Sequence, residues 1–116
     1  MRAPGDDTGA GSVLAIAIMS ALLIVTSTMV PVGALLLADR RASGAADAAA
    51  LAAADGAVGL VAGSPCDLAR TVAAANGAAV QRCEVDGLVV TVRTTVPVLG
   101  FSIAGRATAC PPPAPP

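Results

Sequence analysis

The sequence predicts an α+β protein with a long N-terminal transmembrane helix that continues outside the membrane, a second helix and a small antiparallel β-sheet. Three observations carry this. No charged residue occurs between Thr8 and Ala38. Ser64-Pro65 and Asn76-Gly77 bracket a short stretch with helix-start and helix-stop chemistry. Two Val-rich runs are joined by Asp86-Gly87, a strong hairpin signal.

Residues 1–11, MRAPGDDTGAG, are short, polar and Gly-rich, and are expected to form a flexible leader. The span 12–38 holds the apolar run VLAIAIMSALLIVTSTMVPVGALLLA. As a helix this run covers roughly 39 Å, against about 30 Å for a bilayer hydrocarbon core. Outside the run too few residues remain to enclose it in a soluble core, so a single membrane crossing is expected. The competing expectation is a secretory signal released near Ala34, where Val32-Gly33-Ala34 offers the small residues signal peptidase requires. Pro31 removes one helical donor and frees the Ser27 carbonyl. A kink or loosened turn is expected there, with the hydroxyls of Thr26, Ser27 and Thr28 re-satisfying local backbone groups.

Asp39-Arg40-Arg41 closes the apolar run, and residues 39–63 form an Ala-rich helical extension expected to reach about Ala57. Small residues recur four apart at Gly44, Ala48, Ala52 and Gly56, beside a second stripe at Ala45, Ala49, Ala53 and Ala57. Such stripes let helices approach closely. They are read either as packing surfaces for other subunits or as an Ala helix covering its own domain.

Residues 64–110 are expected to form a small exported α+β domain. Its helix runs from Cys66 to about Ala75, with Ser64 at the N-cap and Pro65 at the first position. Strands are expected at Ala79–Val85 and Leu88–Val96, and a short third one within Phe101–Ala109. In the second strand Val90, Val92, Thr94 and Val96 share one face, Val89, Thr91, Arg93 and Thr95 the other, and Pro97 is expected to end it. Residues 111–116 are a Pro-rich, extended tail.

The composition narrows the function. Of 116 residues 55% are hydrophobic but only 1% aromatic, so the core must be built from Ala and Val. All basic residues are Arg, which with abundant Ala, Gly and Pro points to a GC-rich bacterial genome. Net charge is −1 and no basic stripe or aromatic platform is evident, which argues against nucleic-acid binding. There is no His, and Glu84 is the only Glu. No nucleophile has a recognisable base partner and no phosphate-binding Gly loop follows a strand, so no catalytic residue, small-molecule substrate or cofactor is expected. Three cysteines without a CxxC pair or His make a poor zinc set. A disulfide between Cys66 and Cys83, stapling helix to sheet, is expected, leaving Cys110 over.

GAGSVLAIAIMSALLIV followed by AADAAALAAADGA resembles the N-terminal half of TadE/TadG-like proteins of the Flp (tight-adherence) pilus system. CDLARTVAAANGAAVQRCEVDGLVVTV resembles the small actinobacterial TadE-like proteins of a helicase/secretion gene neighbourhood, through Cys66, Asn76-Gly77-Ala78, Cys83 and the Asp86-Gly87 turn. The resemblance spans roughly residues 9–109. It implies a pilin-like fold and a minor pilin or pseudopilin held in the cell membrane, its C-terminal domain extracytoplasmic. The partners it implies are pilin-like subunits or the inner-membrane assembly platform. It also implies a candidate leader-cleavage site between Gly11 and Ser12, with Gly9 as the other glycine. The family's Glu, five residues into the mature chain, is replaced here by Ile16 if cleavage follows Gly11, and by Leu14 if it follows Gly9.

Overall fold

The computed structural model describes residues 8–112. The expected leader at residues 1–7 and the tail at 113–116 lie outside the described residues. The order of elements is α1 (Thr8–Ala57), α2 (Pro65–Ala75), β1 (Ala79–Asp86), β2 (Val89–Val98) and β3 (Phe101–Ala109). The fold is therefore α+β, with one antiparallel sheet in the order β1-β2-β3. The described residues divide into two compact units, the first ending at Gly33 and the second beginning at Ala34.

In the first unit, helix begins at Thr8, so the expected flexible leader does not extend to Gly11. Once a turn has nucleated on the apolar residues that follow, each further residue adds one hydrogen bond, and Gly9 and Gly11 are carried along. The apolar side chains from Val13 to Val30 are exposed, and the most apolar window has mean hydropathy 2.4 with none of it buried, which makes it a candidate membrane span. Pro31 lies within continuous helix. The hydroxyls upstream do not serve the Ser27 carbonyl. Thr26 donates to Leu22 and Leu23, Ser27 to Ile24, and Thr28 to Ile24 and Val25. Side chains in a helix lean toward its N-terminus, so these hydroxyls reach back along the chain and away from the group that proline frees.

The second unit contains the remainder of α1, α2 and the sheet. Both helix ends close by the same device. At the end of α1, Gly59 has φ +79°, Leu60 N–H donates to Asp55 C=O at 2.9 Å, and Gly59 N–H donates to Gly56 C=O at 3.1 Å. At the end of α2, Gly77 has φ +73°, Ala78 N–H donates to Ala73 C=O at 2.9 Å, and Gly77 N–H donates to Ala74 C=O at 3.0 Å. Each is a Schellman closure, which places Gly where left-handed backbone is required. At the start of α2 the Ser64 side chain makes no capping bond; its carbonyl accepts from Asp67 and Leu68 N–H, and Pro65 supplies the preset φ.

The sheet differs from expectation at both turns. The first hairpin turns on Gly87-Leu88 rather than Asp86-Gly87, with Asp86 paired to Val89. Left-handed φ occurs only at Gly87 (+62°), the pattern of a type II′ turn. Pro97 does not end β2: it lies within the strand, opposite Ser102. The pairing of β1 starts at Thr95, so Pro97 lies beyond the reach of β1 and its missing N–H breaks no ladder there. The second hairpin turns on Leu99-Gly100, both at positive φ.

The core consists of small side chains. Ala49, Ala50 and Ala53 of α1 meet Ala69 and Ala73 of α2 over Val90 and Val92, and a second cluster joins Ala38, Ala42, Ala45, Ala78 and Val96. At their junction α1 sits on the sheet backbone. Thr94, fully buried, donates its hydroxyl to the Ala42 carbonyl at 2.8 Å. Its cross-strand neighbour is Gly105, where an added Cβ would lie 2.3 Å from the Ala42 oxygen and 2.7 Å from the Ser43 nitrogen. Backbone cannot step aside as a side chain can. Gly105→Ala is expected to lower unfolding free energy by about 1–3 kcal/mol. Gly44→Ala, at a helical position with nothing within 4 Å, is expected to raise it by roughly 0.5–1 kcal/mol. Denaturant titration of the detergent-solubilised protein checks both signs.

Candidate functional site

Three features of the chain are candidates for function: the apolar segment of α1, the small-residue positions of its extension, and the cystine that joins α2 to β1.

The cystine depends on an irregularity in β1. Strict alternation through AVQRCEV would put Val80 and Cys83 on opposite faces. The register slips between Val80 and Arg82, so that Val80 pairs with Thr94 but Arg82 pairs with Arg93. Gln81 is the extra residue of a bulge, and the slip brings Val80 and Cys83 onto the core face together. Cys83 then stands opposite the buried Val92. On α2, Cys66 lies one turn before Ala69, which is fully buried against the same core. The two half-cystines are bonded, with Cα atoms 5.9 Å apart, and close a loop of sequence separation 17. Cys110, just past β3, is free and exposed.

The small residues of α1 divide between two roles. Ala45, Ala49 and Ala53 are fully buried in the chain's own core, with Ala57 packed at its edge. Ala48 and Ala52 are half-buried. Gly56 lies under Leu68 of α2, whose Cδ1 would be 2.6 Å from an added Cβ. Gly44 alone of its stripe is exposed, with open space where a Cβ would stand. One face of the expected extension at 39–63 thus supplies core to the domain that follows it.

Gly11 and Ser12, the candidate cleavage site, are exposed and helical, as are Gly9, Leu14 and Ile16. Gly33 is also helical and exposed, and Ala34 is half-buried. Among the described residues no three His, Cys, Asp or Glu side chains gather as a metal set. Sequence reasoning missed the bulge at Gln81. Its only signal is that Val80 and Cys83, the residues of β1 suited to the core, are three apart rather than two.

A loop of this length is worth about 3 kcal/mol through the entropy of the unfolded chain. Cys83→Ser is expected to cost the domain roughly 2–4 kcal/mol, and Cys110→Ser little. Alkylation of the unreduced native protein should modify Cys110 alone; modification of Cys66 and Cys83 without reductant would refute the staple. No family model, curated protein or solved structure matches the chain.

Proposed function

We propose that this chain is a non-enzymatic, single-pass membrane protein acting as a TadE-like minor pilin or pseudopilin of a Flp pilus or related secretion system. Its C-terminal domain lies outside the cytoplasm. The observation that carries the reading is the combination of an exposed apolar helical segment with a domain closed by a cystine. The first belongs in lipid, and the second is at home in an oxidising compartment. The resemblance between residues 9 and 109 supplies the system.

In this reading the apolar part of α1 anchors the protein and packs against pilin-like subunits or the inner-membrane platform. Ile16 or Leu14, where the family places Glu, brings no charge to that contact, so association rests on close helix approach. Gly44, exposed and without a side chain, is the position in the extension best suited to it.

A second reading has one observation in its favour. The second compact unit begins at Ala34, where signal peptidase would release a secreted form. A product starting there would retain every buried residue of both core clusters. The intact mass of the protein recovered from membranes and from the medium separates the two readings. Retention of the apolar helix is expected; a mass beginning near Ala34 would establish the secreted form.

Orientation has its own test. A membrane-impermeant maleimide should label Cys110 in intact cells, and labelling only after lysis would place the domain in the cytoplasm. Gly44→Leu should not impair insertion or folding and should reduce co-purification of pilin-like partners several-fold. Unchanged recovery of those partners would remove Gly44 from the packing surface.

A further inference from the structure

The solvent face of the sheet carries a charge arrangement that the anchoring role does not use. Arg82 pairs directly with Arg93, and Arg93 with Arg106. Three arginines therefore stand side by side across all three strands, on the face opposite Val92 and Thr94. Adjacent strands are about 4.8 Å apart, so the row starts from backbone positions within about 10 Å of one another. Like charges directly opposite each other destabilise a sheet. The next row is Glu84, Thr91 and Thr108, with the two threonine hydroxyls 3.0 Å apart. The compensation is incomplete: Glu84 reaches Arg82 at 3.5 Å, with both side chains more than half exposed, and no side-chain hydrogen bond or ion pair involves Arg93 or Arg106 among the described residues. Asp86 lies two residues further along β1, at the turn. Arg82, Glu84, Thr91, Arg93 and Arg106 line a hollow of about 70 Å³. The hollow is open to solvent and has room over the row for a small polyatomic group.

We infer that Arg82, Arg93 and Arg106 form a binding site for a phosphoryl group. All three arginines line one hollow, and each planar guanidinium offers paired N–H donors. A carboxylate presents two oxygens, which one fork satisfies. A phosphoryl group presents three terminal oxygens and up to two negative charges, which matches three forks and the two positive charges that Glu84 leaves uncompensated. Binding relieves the repulsion along the row, so the anion stabilises the folded domain. The site stands on β1, β2 and β3 alone and does not rest on the pilin-like reading.

The test uses the full chain in neutral detergent, titrated with inorganic phosphate at constant ionic strength, with chloride as the control anion. Wild type should show saturable binding and a rise in melting temperature that chloride does not reproduce. Arg93→Gln, which removes the central fork, should weaken binding at least tenfold. Its melting temperature without phosphate should equal or exceed that of wild type, because a like-charge contact is gone. Arg93→Lys keeps the charge without the fork and should fall well short of wild type. Equal responses to phosphate and chloride, or unchanged binding by Arg93→Gln, would overturn the site. So would tighter binding of a Glu-rich peptide than of phosphate, which would make it a carboxylate surface. Neutral-detergent micelles doped with phosphatidic acid, against the same micelles doped with phosphatidylcholine, identify the source of the group. A rise in melting temperature specific to phosphatidic acid and lost in Arg93→Gln assigns a lipid headgroup; phosphate binding without such a rise assigns a soluble phosphate.

Discussion

The approach of α1 to the sheet at Ala42, Thr94 and Gly105 is the constraint on which the rest of the domain depends. A helix normally stands off a sheet by the length of the side chains between them. Here Gly105 contributes none, Ala42 contributes a methyl group, and the Ala42 carbonyl accepts the Thr94 hydroxyl at 2.8 Å. That bond satisfies a hydroxyl that would otherwise be buried without a partner, at a cost of about 1–3 kcal/mol. It also fixes the register of α1 on the sheet, because Thr94 and Gly105 are cross-strand partners and only one residue of the helix can sit over them. With the spacing set this short, the positions facing inward along α1 have no room for larger groups. Ala38, Ala45, Ala46, Ala49, Ala50 and Ala53 fill them.

A core of this kind is thin. Its largest fully buried side chains are Val90, Val92 and Thr94. Each alanine removes little apolar area from water, and apolar area is worth about 25 cal/mol per Å². Covalent reinforcement therefore matters more here than in a domain with an aromatic centre. The bulge at Gln81 and the cystine act together: the bulge turns Cys83 onto the core face, and the bond to Cys66 then ties α2 to the sheet. The same register change fixes the other face. With Val80 and Cys83 inward, Arg82 points outward opposite Arg93, and the arginine row is a consequence of the bulge that makes the staple possible.

The apolar segment of α1 is a candidate membrane span. Its exposed Leu, Ile, Val and Met side chains would be unfavourable in water and are suited to lipid, where helical backbone satisfies its own polar groups. Its hydroxyl residues illustrate this economy. Ser20, Thr26, Ser27 and Thr28 all donate to carbonyls three or four residues earlier, so each of these hydroxyls is satisfied within the helix.

Local chemistry along the chain specifies most of the secondary-structure elements. The uncharged run and the alanines after it specify one helix to Ala57. Pro65 and Asn76-Gly77 delimit α2, and the alternation of Val90, Val92, Thr94 and Val96 identifies the inner face of β2. The tertiary structure decided what depends on a partner strand or helix. Asp86-Gly87 marks a turn, but which two residues occupy it is fixed by the pairing of Asp86 with Val89. Pro97 looks like a strand terminator until β1 is seen to end short of it. Leu99 is an improbable turn residue in isolation, held at positive φ by the strands on either side. The small-residue stripes were legible as a pattern, yet only packing assigned Ala45, Ala49 and Ala53 to the chain's own core and left Gly44 open. The arginine row was invisible for the same reason: Arg82, Arg93 and Arg106 are far apart in sequence, and only the bulge and the two ladder registers make them neighbours.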